Sequence, residues 1–118
     1  MARLDKWKNT TIQDDGGYTS KDFRDFATDF REDLRMSLPE TTRIVAYNKG
    51  HYYVSGFLLN ELTGKYGYFS ISDVRYFPNS WVNDILVRSA KDTKDYSGGS
   101  NNSATLETFP EAVERITR

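Results

Sequence analysis

The chain contains no cysteine, so disulfides, thiolate nucleophiles and zinc–sulfur sites are excluded together. It has a single histidine, His51, which rules out a multi-histidine metal site within one chain. No apolar run approaches the ~20 residues of a membrane span, and the opening MARLDKWKNT lacks the apolar segment of a signal peptide. These absences predict a soluble protein of the cytoplasm, with no membrane partner. Neither charge sign dominates: 16 basic residues face 17 acidic ones, for a net charge of -1. A strong electrostatic footprint for nucleic acid is therefore lacking, and so is the excess of acid that a DNA mimic needs.

What is present is an aromatic-rich chain of 118 residues, long enough for one modest core. Residues 1–17 show no sustained period and read as a loosely ordered arm, with Leu4, Trp7 and Ile12 as its docking residues; residues 18–118 read as a single α+β domain. From Thr19 to Leu38, Phe23, Phe26, Phe30 and Leu34 recur at three- and four-residue steps, the signature of one helix face. Thr19 is a suitable N-cap, Pro39 ends the element, and the charges on the other face read as a solvated surface. Segments rich in β-branched and aromatic residues follow: Thr41 to Asn48, His51 to Asn60 and Lys65 to Ser72, separated by the turn signals Lys49-Gly50 and Glu61 to Gly64. Asp84 to Ala90 is a further strand candidate. Short links imply antiparallel neighbours. Near the end, Thr108 and Glu111 match a capping box, and Phe109, Ala112, Val113 and Ile116 give a short apolar face. The expected fold is α+β: an antiparallel three- to four-stranded meander covered by an N-terminal helix and a short C-terminal helix.

The candidate chemistry gathers in two stretches. In SDVRYFPNSW, Asp73 and Arg75 lie two apart and share one strand face, with Tyr76 and Trp81 around Pro78. In KDYSGGSNN, Asp95, Tyr96, Gly98, Gly99 and Asn101 form a turn-rich loop, which Arg88 could join in a polar cluster. The loop fails the phosphate-loop pattern, because Ser100 and Asn101 stand where Lys and Ser or Thr are required. It also fails the dinucleotide fingerprint. A looser nest of converging backbone N–H groups stays open to it, as does a plain flexible connection. His51 has no motif linking it to a nucleophile and a carboxylate, so no catalytic residue is assigned and no enzyme is expected. No metal or other cofactor is called for. The sheet tyrosines Tyr47, Tyr52, Tyr53, Tyr66 and Tyr68 suit cross-strand packing, base stacking or protein contact.

The words Ser72-Asp73-Val74-Arg75, Phe77-Pro78-Asn79, Arg88-Ser89-Ala90-Lys91 and Asp95-Tyr96-Ser97-Gly98-Gly99-Ser100-Asn101 carry a resemblance. Over roughly residues 17 to 105 the chain is similar to small proteins of phages, plasmids and conjugative elements of Firmicutes. That resemblance brings no catalytic residues with it. It implies an accessory protein of a mobile element, and proteins of that kind include inhibitors of host defence systems, anti-CRISPR proteins among them. The partner it implies is a host defence nuclease, a type II CRISPR effector, blocked by protein–protein binding without chemistry. Two other readings stand beside it. One is a nucleic-acid-binding module using the sheet tyrosines with Arg43, Lys65, Arg75 and Arg88, which the balanced charge disfavours. The other is a small-ligand-binding protein or enzyme centred on Asp73, Arg75, Arg88, Tyr96 and the Gly98-Gly99 loop.

Overall fold

A computed structural model describes residues 3–8, 21–50, 53–71 and 82–118. Helix α1 (Lys21–Ser37) leads into strands β1 (Thr42–Lys49), β2 (Val54–Asn60), β3 (Lys65–Ile71), β4 (Ile85–Ala90) and β5 (Asn102–Ala104), and helix α2 (Phe109–Ile116) follows. The strands form one antiparallel sheet in the order β1-β2-β3-β4-β5, so each pairs only with its neighbours in sequence. The α+β meander between two helices is thus the architecture the sequence predicts, extended by a fifth strand.

Alternation along the strands sorts residues to two faces. Val54, Leu58, Phe69, Ile71, Ile85 and Val87 point to one side, where they meet Phe23, Phe26, Phe30 and Leu34 of α1 and Phe109, Ala112 and Val113 of α2 in one buried cluster. All four expected core residues of α1 are fully buried. Burying a side chain of that size stabilises by about 1.5–3 kcal/mol, so this face dominates the energetics. Close packing within the sheet depends on one glycine. At Gly56, between Tyr47 on β1 and Phe69 on β3, an added Cβ would lie 2.6 Å from the Phe69 ring and 2.6 Å from the Ala46 carbonyl oxygen.

The N-terminal segment is part of this core. Leu4 and Trp7, around a single 3-10 turn (Asp5–Trp7), are buried against α1. The Leu4 N–H donates to the buried Asp33 carboxylate at 2.8 Å, and the Trp7 indole N–H donates to Asp29 at 2.9 Å. Ile12, the third docking residue expected of the arm, and the expected N-cap Thr19 lie outside the described residues.

Three local details differ from the sequence reading. The register slips between Ile44 and Ala46, placing a bulge in the edge strand β1. β5 arises within the polar stretch read as a connection: Asn102, Ser103 and Ala104 pair with Val87, Leu86 and Ile85. The Thr108/Glu111 capping box does not form. Thr108 holds the N-cap position without a side-chain cap bond to the helix, and exchanges hydrogen bonds with Thr105 instead. The Thr105 N–H donates to Thr108 Oγ1 at 2.9 Å, and the Thr108 N–H donates to Thr105 Oγ1 at 3.1 Å. The nearby hydroxyl pair outcompetes the helix for the threonine, a local competition common to short polar side chains.

Candidate functional site

The sheet face away from the helices carries Phe57 and Leu59 of β2, Tyr66 and Tyr68 of β3, and Leu86 and Arg88 of β4. The pairing places Phe57 opposite Tyr68, and Tyr68 opposite Arg88. The segment after β4 folds back over this row. Tyr96 sets its ring edge-on against Phe57 (centroids 5.2 Å apart) and Tyr68 (5.9 Å), while Phe57 and Tyr68 lie 5.1 Å apart. Phe57 is only 1 % exposed, whereas Tyr96 is 60 % exposed. The cluster therefore has a buried floor and an exposed top. Edge-to-face contacts of this kind add about 0.5–1.5 kcal/mol beyond area burial.

Arg88 fixes the loop to the sheet. Its guanidinium is buried, lies 4.3 Å from the Tyr68 ring centroid, and donates to the Asp95 carbonyl oxygen at 2.7 Å (Nη2) and the Ser89 carbonyl oxygen at 3.2 Å (Nη1). Among the described residues no carboxylate comes within ion-pairing distance of it. A planar fork of donors suits this double task better than an ammonium would.

The Asp95 side chain organises the rest of the loop. Its Oδ2 accepts the Lys91 N–H at 2.9 Å, and its Oδ1 accepts the N–H groups of Gly98 at 2.8 Å and Ser97 at 3.2 Å. Those bonds, that from Lys91 foremost and that from Ser97 next, hold the carboxyl below the usual aspartate range against a smaller opposing effect of desolvation. The converging N–H groups expected of a nest are thus present, and the anion they bind is the chain's own Asp95. Gly99 has φ +74°, and an added Cβ there would meet the Ser89 carbonyl oxygen at 2.6 Å. Only glycine lets the loop turn left-handed while lying this close to β4.

Of the sequence-predicted residues, Arg88, Asp95, Tyr96, Gly98 and Gly99 come together here. Asn101 is exposed at the loop's end and makes no side-chain hydrogen bond among the described residues. Asp73, Arg75, Tyr76 and Trp81, together with His51 and Tyr52, lie outside the described residues. Tyr47 belongs elsewhere: it faces α1, donates its hydroxyl to the Ala27 carbonyl at 2.6 Å, and has its phenol pKa raised by burial. It is not part of a tyrosine array on the open face. Phe57, which forms the floor of the cluster, was missed by sequence reasoning. The alternation in Val54 to Asn60 puts it on the face opposite Val54 and Leu58, and that was the available signal.

The arrangement is suited to recognition. An exposed aromatic edge projects from a loop in which Arg88 and the Asp95 carboxylate are engaged internally. No protein family, curated protein or solved structure matches this chain. Among the described residues, no helix is long and apolar enough to cross a membrane, and no group of three or more His, Asp or Glu residues is placed to hold a metal ion.

Proposed function

We propose that the chain is a binding protein whose contact surface is the open sheet face around Tyr96, and that it acts by covering part of a larger partner. The observation that supports this is the mounting of Tyr96. Tyrosine is among the residues that dominate binding energy at protein interfaces, and it does so best when held in place before contact. Here the ring stands on Phe57 and Tyr68, and its backbone is held through Arg88 and the Asp95 turn. The resemblance to mobile-element proteins supplies the class of partner: a host defence nuclease, of the type II CRISPR effector kind, inhibited by occlusion.

The test mixes the purified protein with such a nuclease and its guide, then measures target cleavage and co-elution. Inhibition with co-elution is expected. Tyr96→Ala, which removes an exposed ring, should weaken the complex about 30-fold, the effect of an interface residue contributing about 2 kcal/mol. Full inhibition by Tyr96→Ala would place the contact on another face. No complex and no inhibition would remove this nuclease as the target.

A further inference from the structure

Helix α1 has three sides rather than two. Its apolar side enters the core. Asp22, Asp25, Asp29 and Glu32 follow at three- and four-residue steps on a second side. Lys21, Arg24, Arg31 and Arg35 lie on a third, interrupted by Thr28, one residue out of phase and hence about 100° around the helix. The exposed side of the helix therefore divides into an acidic flank and a basic flank.

The fold treats the two flanks unequally. The acidic flank faces the N-terminal segment, which supplies it with partners: Asp29 receives the Trp7 indole N–H and Lys6, whose Nζ is 3.1 Å away, and the Arg3 charge acts on both Asp29 and Glu32. The basic flank faces the edge strand β1, which supplies more positive charge and no acid. Arg31 lies 5.6 Å from the Tyr47 ring centroid, and Lys49 lies 4.4 Å from that of Phe23. Burial and then the Arg24 charge lower the Lys49 ammonium's pKa, the mark of cations gathered at one seam. Among the described residues, neither Arg24 nor Arg31 has a carboxylate within 4.0 Å. Lys21 and Arg35 have only exposed pairings within the helix, with Asp25 and Glu32, and pairs of that kind are worth less than about 1 kcal/mol and exchange readily. Among the described residues, a chain of net charge -1 thus presents a locally positive ridge: the N-terminal segment engages Asp29, and no carboxylate pairs with Arg24 or Arg31.

We infer that the flank of Lys21, Arg24, Arg31 and Arg35, beside Lys49, is a binding surface for the phosphodiester backbone of a nucleic acid. From Lys21 to Arg35 the ridge is about 21 Å long, enough to follow several successive phosphates. Three of its four helix cations are arginines, whose planar fork matches phosphate oxygens in pairs. Among the described residues no base-reading element accompanies the ridge, so the contact we infer is independent of sequence. It lies on α1, distinct from the Tyr96 cluster, and stands or falls separately from the proposed function.

The test is fluorescence anisotropy of a labelled 20-base-pair DNA duplex and a labelled single-stranded RNA, at 50 and 200 mM salt. With four phosphates neutralised, duplex affinity should fall about 150-fold over that fourfold change in salt, and single-strand affinity about 50-fold. Whichever probe binds more tightly at 50 mM salt identifies the source of the phosphates. Arg24→Ala/Arg31→Ala alters exposed side chains only. It should weaken binding and reduce the duplex salt response to about 12-fold. Asp25→Asn/Glu32→Gln should tighten binding by removing acids beside the ridge, and Lys91→Ala/Lys94→Ala, in the distant loop, should leave it unchanged. The inference is overturned if neither probe binds at 50 mM salt, or if Arg24→Ala/Arg31→Ala binds like the native chain. Capture of poly-L-glutamate with no binding of either nucleic acid would also overturn it, and would assign the ridge to an acidic protein.

Discussion

Arg88 and Asp95 divide the work of holding the open-face loop. Arg88 binds its backbone from below, and Asp95 ties its N–H groups from within. Replacing Arg88 with alanine leaves two carbonyl oxygens without their charged donor and removes the cation from Tyr68. A loss of about 3 kcal/mol is expected, read as a lowered urea midpoint. Arg88→Lys should recover only part of it, since one ammonium cannot reproduce the fork. Asp95 adds a pH dependence. Its folded pKa is lowered, so its contribution is complete above the unfolded value of about 3.9 and is lost as the pH falls through the folded value. Amide exchange at Ser97 and Gly98 should therefore accelerate below about pH 4, once corrected for the intrinsic rate, before the core strands open. Protection at Gly98 that persists to global acid unfolding would mean that the carboxylate is not what orders the loop.

The elements depend on a few close contacts, and these separate what the sequence announces from what it conceals. Helix α1 and the first four strands are legible because their apolar residues keep a period of 3.6 or 2. β5 is not legible, because three residues are too few to show a period and Asn102 and Ser103 give no apolar signal. The failed capping box at Thr108 shows the same limit: Thr105, three residues upstream, competes for the hydroxyl, and spacing alone does not rank the two partners. At the site, the sequence picks out the loop by its glycines but not its floor, since Phe57 reads as one more core residue in a mostly apolar strand. Two substitutions test how the elements meet. Gly56→Ala forces a Cβ to within 2.6 Å of the Phe69 ring and the Ala46 carbonyl; a cost of about 1–3 kcal/mol is expected by chemical denaturation. Trp7→Ala empties a buried slot beside Phe26, whose ring it meets edge-on at 5.9 Å, and should cost about 3–5 kcal/mol. A change under 1 kcal/mol would show that the N-terminal segment is an attachment rather than a structural member.

Across the whole molecule, a single cluster joins the N-terminal segment, both helices and the sheet, so the chain should unfold as one unit. In a Trp81→Phe background, Trp7 fluorescence and far-ultraviolet circular dichroism should give coincident urea transitions. An earlier fluorescence transition would reveal separate release of the N-terminal segment. The Asp29 clamp on that segment should weaken in acid. Burial raises the Asp29 carboxyl pKa, but Trp7 and Lys6 outweigh that and hold it low, so its stabilisation is present above about pH 4 and lost below the folded value. The simple strand order has a further consequence, in time rather than in space. Because every strand pairs with the one before it, no strand waits for a partner made much later, and closing each link costs little chain entropy. During synthesis the sheet can grow one strand at a time behind α1. The edges of β1 and β2 that face the next strand are covered soon after they form, and those of β3 and β4 once residues 72–84 and 91–101 have followed. Among the described residues the outer edges of β1 and β5 gain no partner strand, and β1 carries a bulge that discourages unwanted pairing.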